Sequence, residues 1–266
     1  MDFGDDWGEA EEDLGVDGDG RGGDEAVEFP IPYTAAGIEY ALYRFGLLTQ
    51  LESLGYQHFQ VEFMAGEPGE RMRLTGEFGG QRDLLVESCL EAMVVGDHRI
   101  LFVHWLSLRH PRGAFGRPPL PGQEVPGLGM AREAGELLAR MAERLGLDGV
   151  GLRPAWFHVA YTARYRYRFV EDRLQGQFEA LLRDVVALFP GPSGFGLAKA
   201  SQAIADQQVW VTEGGQARPF MWEPGLMVDR GGAEGKEVER VRDTLGFRLV
   251  STGGQEQAGV GPTEHP

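Results

Sequence analysis

A turn rich in Gly and Pro that runs directly into a helix constrains this chain more than any other feature. The turn is Pro121–Gly129, PGQEVPGLG, and a helical pattern follows it over Ala131–Leu145. Pro and Gly interrupt regular structure, so the helix begins abruptly after the turn. The first N–H groups of such a helix lack carbonyl partners, and the positive end of the helix dipole lies behind them. The sequence therefore predicts an anion site, suited to a pyrophosphate, at this helix N-terminus.

Hydrophobic periodicity predicts an α/β (α+β) protein with a mixed, mostly antiparallel sheet flanked by helices. Thr34–Leu54 has the spacing of an amphipathic helix, and four strand-like segments follow it. These segments are His58–Met64, Arg71–Phe78, Leu84–Val95 and Arg99–Arg109. Only Gly96–His98 separates the last two, which is typical of a β-hairpin. Because Ile100–Leu108 is apolar on both faces, we expect it to be a central strand.

The second half of the chain alternates helical and extended patterns. We expect helices at Phe157–Tyr165, Gln175–Leu188 and Leu197–Ala205. We expect strands at Val150–Leu152, Tyr167–Val170, Gln208–Thr212 and Phe220–Trp222. The order predicts a main domain over residues 29–172 and an extension of helices and strands over residues 173–250.

Both ends of the chain have the composition of disordered segments. Residues 1–28 carry twelve acidic side chains and one basic one, so most of the net charge of -16 lies there. Residues 251–266 are rich in Gly, Gln and Pro. We therefore predict a disordered acidic tail at 1–28, which is able to attract a basic protein or peptide, and a disordered tail at 251–266.

Composition also argues against several classes of function. The acidic balance disfavours nucleic acid as a main partner. No N-terminal signal pattern or apolar run of membrane-spanning length is visible, so we expect a cytoplasmic protein without a membrane partner. Cys89 is the single cysteine, which excludes a disulfide within one chain and a Cys-based metal site. We expect no metal.

A series of residues from the turn onward resembles the acyl-CoA-dependent N-acyltransferase superfamily known as GNAT. The family's pyrophosphate loop reads Arg/Gln-x-x-Gly-x-Gly/Ala at the start of a long helix, and Gly127-Leu128-Gly129 matches its end. Further matches are Leu137-Leu138 on the helix, Gly146 after it, and then Ala160, Tyr165 and Phe169. The chain departs from the family at Gln123, which lies one position early, and at Glu124, which takes its place. Arg168 stands where the family has Gly.

The resemblance implies that residues 29–172 form a GNAT-like domain that binds acetyl-CoA or another acyl-CoA as co-substrate. The diphosphate would lie against the loop and helix start, with Arg132 or Arg117 as a charged contact. The residues implied there are Gln123, Gly127, Leu128, Gly129, Met130, Ala131 and Arg132. In this family the strand before the loop splays from its neighbour, so Trp105, Leu106 and Ser107 would lie beside the pantetheine arm.

The implied reaction is transfer of the acyl group to an amine of unknown identity. His104 on the central strand, or Glu91 or Glu87 on the strand before it, would act as the base. Tyr165 matches the family's Tyr acid. Each of these residues also has a structural interpretation: a core histidine, surface carboxylates and a surface Tyr–Arg cluster. The alternative function is a non-catalytic GNAT-like interaction or assembly module that docks a basic partner through residues 1–28.

Overall fold

The computed structural model describes residues 33–64, 68–191, 194–229 and 234–250. The two tails expected to be disordered lie outside the described residues. The helices are α1 (Ala35–Arg44), α2 (Leu47–Ser53), α3 (Ala131–Arg144), α4 (Phe157–Ala163), α5 (Asp172–Leu188), α6 (Leu197–Ala205) and α7 (Lys236–Thr244). The strands are β1 (Gln57–Met64), β2 (Glu70–Phe78), β3 (Gln81–Val95), β4 (His98–Leu108), β5 (Gly149–Leu152), β6 (Tyr167–Phe169), β7 (Pro190–Gly191), β8 (Gly194–Phe195), β9 (Val209–Glu213), β10 (Gln216–Pro219), β11 (Met227–Asp229) and β12 (Leu245–Leu249).

A mixed sheet of seven strands forms the centre of the fold, in the order β1-β2-β3-β4-β5-β11-β6. Its first four strands are antiparallel neighbours, β4 and β5 are parallel, and β11 is antiparallel to both β5 and β6. The α/β class and the mostly antiparallel sheet flanked by helices are therefore confirmed. The central position of β4 agrees with its apolar residues on both faces.

The three helices nearest the hairpin strands share one side of the sheet. Residues of α1, α2 and α3 line one cavity together with Val86, Ser88 and Leu90 of β3. We call this side the helix face. Alternation along β3 turns Glu87, Cys89 and Glu91 to the other side, the opposite face.

The C-terminal segment contributes a strand to the central sheet. The sequence does not predict this contribution. β11 lies between β5 and β6 and pairs with both, through Met227 and Val228. The central sheet therefore includes a strand from beyond residue 172, and the domain boundary at this residue stays a prediction. A three-residue strand carries too short a pattern to be recognised in sequence, and only its neighbours stabilise it.

Two further expectations differ from the structure. The single helix predicted over Thr34–Leu54 is broken at Gly46, whose φ of 76° lies outside the helical range. Phe220–Trp222 is not a strand. Its aromatic rings pack against the core instead. Phe220 is buried with its ring centroid 5.1 Å from that of Phe247, and the half-buried Trp222 lies 5.9 Å from Phe157 between ring centroids. Burial without strand pairing gives the same apolar pattern as a short strand.

Two helical glycines give a matched test of packing against backbone entropy. A Cβ at Gly176 of α5 would lie 2.6 Å from the Val238 carbonyl oxygen and 2.7 Å from Val241 Cβ in α7. Among the described residues, no atom lies within 4 Å of the corresponding point at Gly135 of α3. We expect Gly176→Ala to lower the free energy of unfolding by about 1–3 kcal/mol because it forces α5 and α7 apart. Gly135→Ala should raise it by about 0.5–1 kcal/mol. Urea unfolding measures both, and stabilisation by both variants would contradict this packing of α7.

Candidate functional site

The parallel pairing of β4 with β5 covers only part of β4. The ladder runs from Ile100 opposite Gly149 to Val103 opposite Leu152, whereas β4 continues to Leu108. A register shift opposite Cys89 and Leu90 leaves His104 as an extra residue, a β-bulge. Among the described residues, no strand pairs with the β5 side of β4 beyond Val103. The β4–β5 ladder therefore ends at Val103, where β5 itself ends, and the described residues leave an open edge on this side of β4.

The bulge changes which backbone groups face this edge. The Arg99 carbonyl accepts from Asp148 N on the β5 side, whereas Arg109 N donates to Leu85 O of β3. On the β5 side, Leu108 O accepts from Leu128 N at 3.3 Å. Because backbone groups alternate along a strand, the N–H and C=O of Leu106 point the same way as those of Leu108. They face the gap rather than β3.

A cleft of about 410 Å³ lies at this open edge. One wall is the end of β4, a second is the loop 120–125, and a third is the start of α4. The lining residues are Leu106, Ser107, Leu108, Arg109, Leu120, Pro121, Gly122, Gln123, Glu124, Val125, Trp156 and His158. Two residues expected to contact a cofactor arm, Leu106 and Ser107, therefore lie in one cleft with Gln123.

The turn before α3 leaves the helix start open, as the sequence predicts. The first helical hydrogen bond runs from Ala134 N to Met130 O at 3.0 Å, and no side chain caps the helix. Gly129 makes the turn with a φ of 76°, a conformation that side chains disfavour. Leu128 and Met130 are buried and anchor the turn to the core. The N–H groups of residues 131–133 therefore have no acceptor within the helix.

Charged side chains around the turn are arranged differently from the expectation. Glu124 does not plug the turn, since its side chain is 87 % exposed and lies 3.9 Å from Arg109. Gln123 accepts a hydrogen bond from Leu120 N and so stabilises the loop. Arg132 forms ion pairs along α3 with Glu133 and Glu136.

Arg117 is a second candidate for a phosphate contact. Its charge acts on His158 in the cleft wall. Within the described part of the chain, no carboxylate forms an ion pair with Arg117. Its guanidinium is therefore available to an anion at the cleft.

His104 and Glu91, predicted separately as candidate bases, lie together. His104 Nε2 is 2.7 Å from Glu91 Oε2, and the imidazole edge meets the Phe102 ring at a centroid distance of 4.7 Å. Glu91 pairs in register with Phe102, so the His104–Glu91 pair lies on the opposite face. His104 is one residue past Val103, the last residue of β4 that pairs with β5. Glu87 is engaged elsewhere, with Arg73 at 2.7 Å.

Several predicted site residues lie outside the cleft lining: Glu91, His104, Trp105, Tyr165 and residues 127–132. The Trp105 ring packs on the opposite face under Arg71, whose guanidinium carbon is 4.8 Å from the ring centroid. Tyr165 is 84 % exposed after α4 and stacks with Arg164. The structure brings neither side chain to the cleft lining.

His158 is a cleft residue that the sequence analysis does not single out. Its Nδ1 lies 3.2 Å from Ser201 Oγ in α6, and Ser201 is 2 % exposed. Burial, with a smaller contribution from the positive charge of Arg117, lowers the pKa of His158 to about 4. A neutral imidazole therefore faces the cleft at neutral pH. A histidine at a helix start gives no signal of this in sequence, because Ser201 comes from a distant segment.

In comparisons with protein-family models, curated proteins and solved structures, the chain has no significant match. None of the helices in the described ranges has both the length and the hydrophobicity needed to cross a membrane. Within the same residues, no three His, Cys, Asp or Glu side chains are grouped to hold a metal ion. The site must therefore be interpreted from its own geometry.

The lowered pKa of His158 predicts a specific dependence of stability on pH. Unfolding returns this pKa from about 4 to its ordinary value of 6.5, so the unfolded chain binds more protons between these pH values. As the pH falls through this window, proton uptake by His158 in the unfolded chain lowers the free energy of unfolding. Above this window His158 has no such effect. We expect His158→Gln to reduce the loss of unfolding free energy between pH 7 and pH 5.

The measurement is urea unfolding at both pH values, with His98→Gln as the control. His98 is an exposed histidine on β4, 4.0 Å from Asp148. An equal pH effect in the native chain and in His158→Gln would contradict a neutral, buried His158.

Proposed function

We propose that this protein binds an acyl-CoA and transfers its acyl group to an amine. The observation that carries the proposal is the open edge of β4, where Leu106 presents backbone groups to a cleft of about 410 Å³. An extended chain with amide groups can complete such an edge by hydrogen bonding, as an added strand does. The pantetheine arm of CoA has two amides and the required extended shape.

We place the phosphate end of the cofactor at the start of α3, which follows the cleft-lining loop 120–125 along the chain. The unpaired N–H groups at the start of α3 and the helix dipole favour a diphosphate. Arg117 adds positive charge near the cleft, whereas the charge of Arg109 is offset by Glu124. The neutral state of His158 leaves it able to form hydrogen bonds there without a charge of its own.

His104 and Glu91 provide base chemistry at the place where β4 and β5 part. With Glu91 ionised, the proton between the two residues lies on His104 Nε2, so Nδ1 carries the free lone pair. Glu91 then stabilises the imidazolium that forms when Nδ1 accepts a proton. The opposite face also carries Arg71 and Glu87 and the rings of Phe102 and Trp105. We place the amine acceptor on this face.

The reaction needs few steps. The amine nitrogen bonds to the thioester carbonyl carbon, and its proton passes to His104 Nδ1. The C–S bond then breaks and the amide product forms. The sulfur leaves as thiolate and takes a proton from water, while His104 Nδ1 returns its proton to the solvent, so that CoA leaves as the free thiol. His104 therefore acts as the general base for the amine nitrogen.

The binding claim predicts a calorimetric result. Isothermal titration should show acetyl-CoA binding, and Arg117→Ala should weaken it about fivefold at low salt, the size of an exposed ion pair. Added salt should shrink this difference because it screens exposed charges. Arg140→Ala is the control, since Arg140 lies on α3 and pairs with Glu143. No heat with millimolar acetyl-CoA would exclude the proposed function.

If His104 is the base, its substitution should lower turnover without lowering the affinity for CoA. Thiol release from acetyl-CoA, measured with a panel of primary amines, should fall about 10²–10⁴-fold in His104→Gln. Affinity for CoA should remain close to that of the native chain. Glu91→Gln should give a smaller loss and an altered pH profile.

Glu87→Gln is the matched control, because Glu87 lies on the same face of β3 and pairs with Arg73 instead. Equal turnover in His104→Gln and Glu87→Gln would remove the role of the His104–Glu91 pair. Binding of CoA without thiol release by any amine would favour the non-catalytic interaction module.

A further inference from the structure

A second, smaller cavity of about 40 Å³ lies on the helix face, between the sheet and α1, α2 and α3. Among the described residues, its lining is apolar except for Glu70 and Ser88. The walls include Leu42 of α1, Leu90 of β3, and Ala134 and Leu138 of α3. All four are at least nine-tenths buried, so the cavity belongs to the core.

The cavity adjoins the cleft through shared residues. Leu106 and Leu108 line both spaces. Their backbone faces the open edge of β4, whereas their side chains lie on the helix face with the core. A group attached at the open edge would have to pass beside these two leucine side chains to enter the cavity.

We propose that this cavity holds the hydrocarbon chain of the acyl group, so that the co-substrate is a short-chain acyl-CoA longer than acetyl-CoA. This inference rests on the proposed function and names the substrate class of the same site. The thioester lies at the open edge beside Leu106, and the chain extends past Leu106 and Leu108 between the sheet and α3.

The size and chemistry of the cavity fix the class of acyl group. A volume of about 40 Å³ accepts about three water-sized groups, since one needs roughly 10–15 Å³. Three carbons beyond the carbonyl correspond to a butanoyl chain, whereas acetyl has one and leaves most of the space empty. The mostly apolar wall favours methylene groups, and it offers a polar or charged acyl group few compensating partners beside Ser88 and Glu70.

The first experiment compares free CoA, acetyl-CoA and butanoyl-CoA by isothermal titration with the native chain. Each buried methylene is expected to tighten binding about fourfold, so butanoyl-CoA should bind on the order of tenfold more tightly than acetyl-CoA. Equal affinities for acetyl-CoA and butanoyl-CoA, with CoA still bound, would overturn the inference and leave the proposed function intact. No binding of CoA or of either acyl-CoA would overturn both.

The second experiment fills the cavity from α3. Ala134→Leu places three more carbons in the space, so the advantage of butanoyl-CoA over acetyl-CoA should disappear while affinity for CoA is retained. Ala139→Leu is the control, because Ala139 lies on another side of α3 and outside the cavity lining. Ala139→Leu should keep the native preference for butanoyl-CoA over acetyl-CoA.

Retained CoA affinity also shows that the filled variant folds. If Ala134→Leu is too large to fold, Ala134→Val tests the same wall with less added volume. An undiminished preference for butanoyl-CoA in a folded filled variant would place the acyl chain elsewhere and overturn the inference.

Discussion

In the part of the chain that the structure describes, no strand pairs with the β5 side of β4 beyond Val103, and the proposed chemistry depends on this open edge. A strand edge with free N–H and C=O groups usually pairs with another chain. Here the β-bulge at His104 turns the Leu106 groups toward the gap, and the cleft keeps them accessible. The loop before α3 pairs with β4 only at its end, through Leu108 and His110. An extended ligand therefore has a defined place between the end of the ladder and the loop.

The sheet separates the parts of the proposed reaction. The helix face carries the apolar cavity under α1, α2 and α3, which suits a hydrocarbon chain. The opposite face carries His104 hydrogen-bonded to Glu91, which suits proton transfer from an amine. The bulge lies at His104, one residue past Val103, which is the last residue of β4 that pairs with β5. It sets the direction of the Leu106 backbone groups, whereas the end of β5 at Leu152 sets where the open edge begins.

Much of the fold could be predicted from local pattern, and the site only in part. The long strands β3 and β4 and the helices α3, α5 and α6 follow their hydrophobic periodicity closely. The open start of α3 follows from Gly and Pro in the turn. In contrast, β11 has three residues and no pattern of its own, and His158 gains its neutral state from Ser201 and Arg117, which are distant in sequence. Arg132, predicted to contact phosphate, is drawn into ion pairs with its helix neighbours instead.

The sequence by itself determined the class of fold, the central strand and the exposed helix N-terminus, because these depend on residue spacing within one segment. Tertiary structure alone decided that β4 parts from β5 after Val103, that Glu91 meets His104, and that an apolar cavity shares Leu106 and Leu108 with the cleft. Such features depend on register between strands and on packing between distant segments. Register and packing are set by the whole fold, since a shift of one residue would move every side chain to the other face.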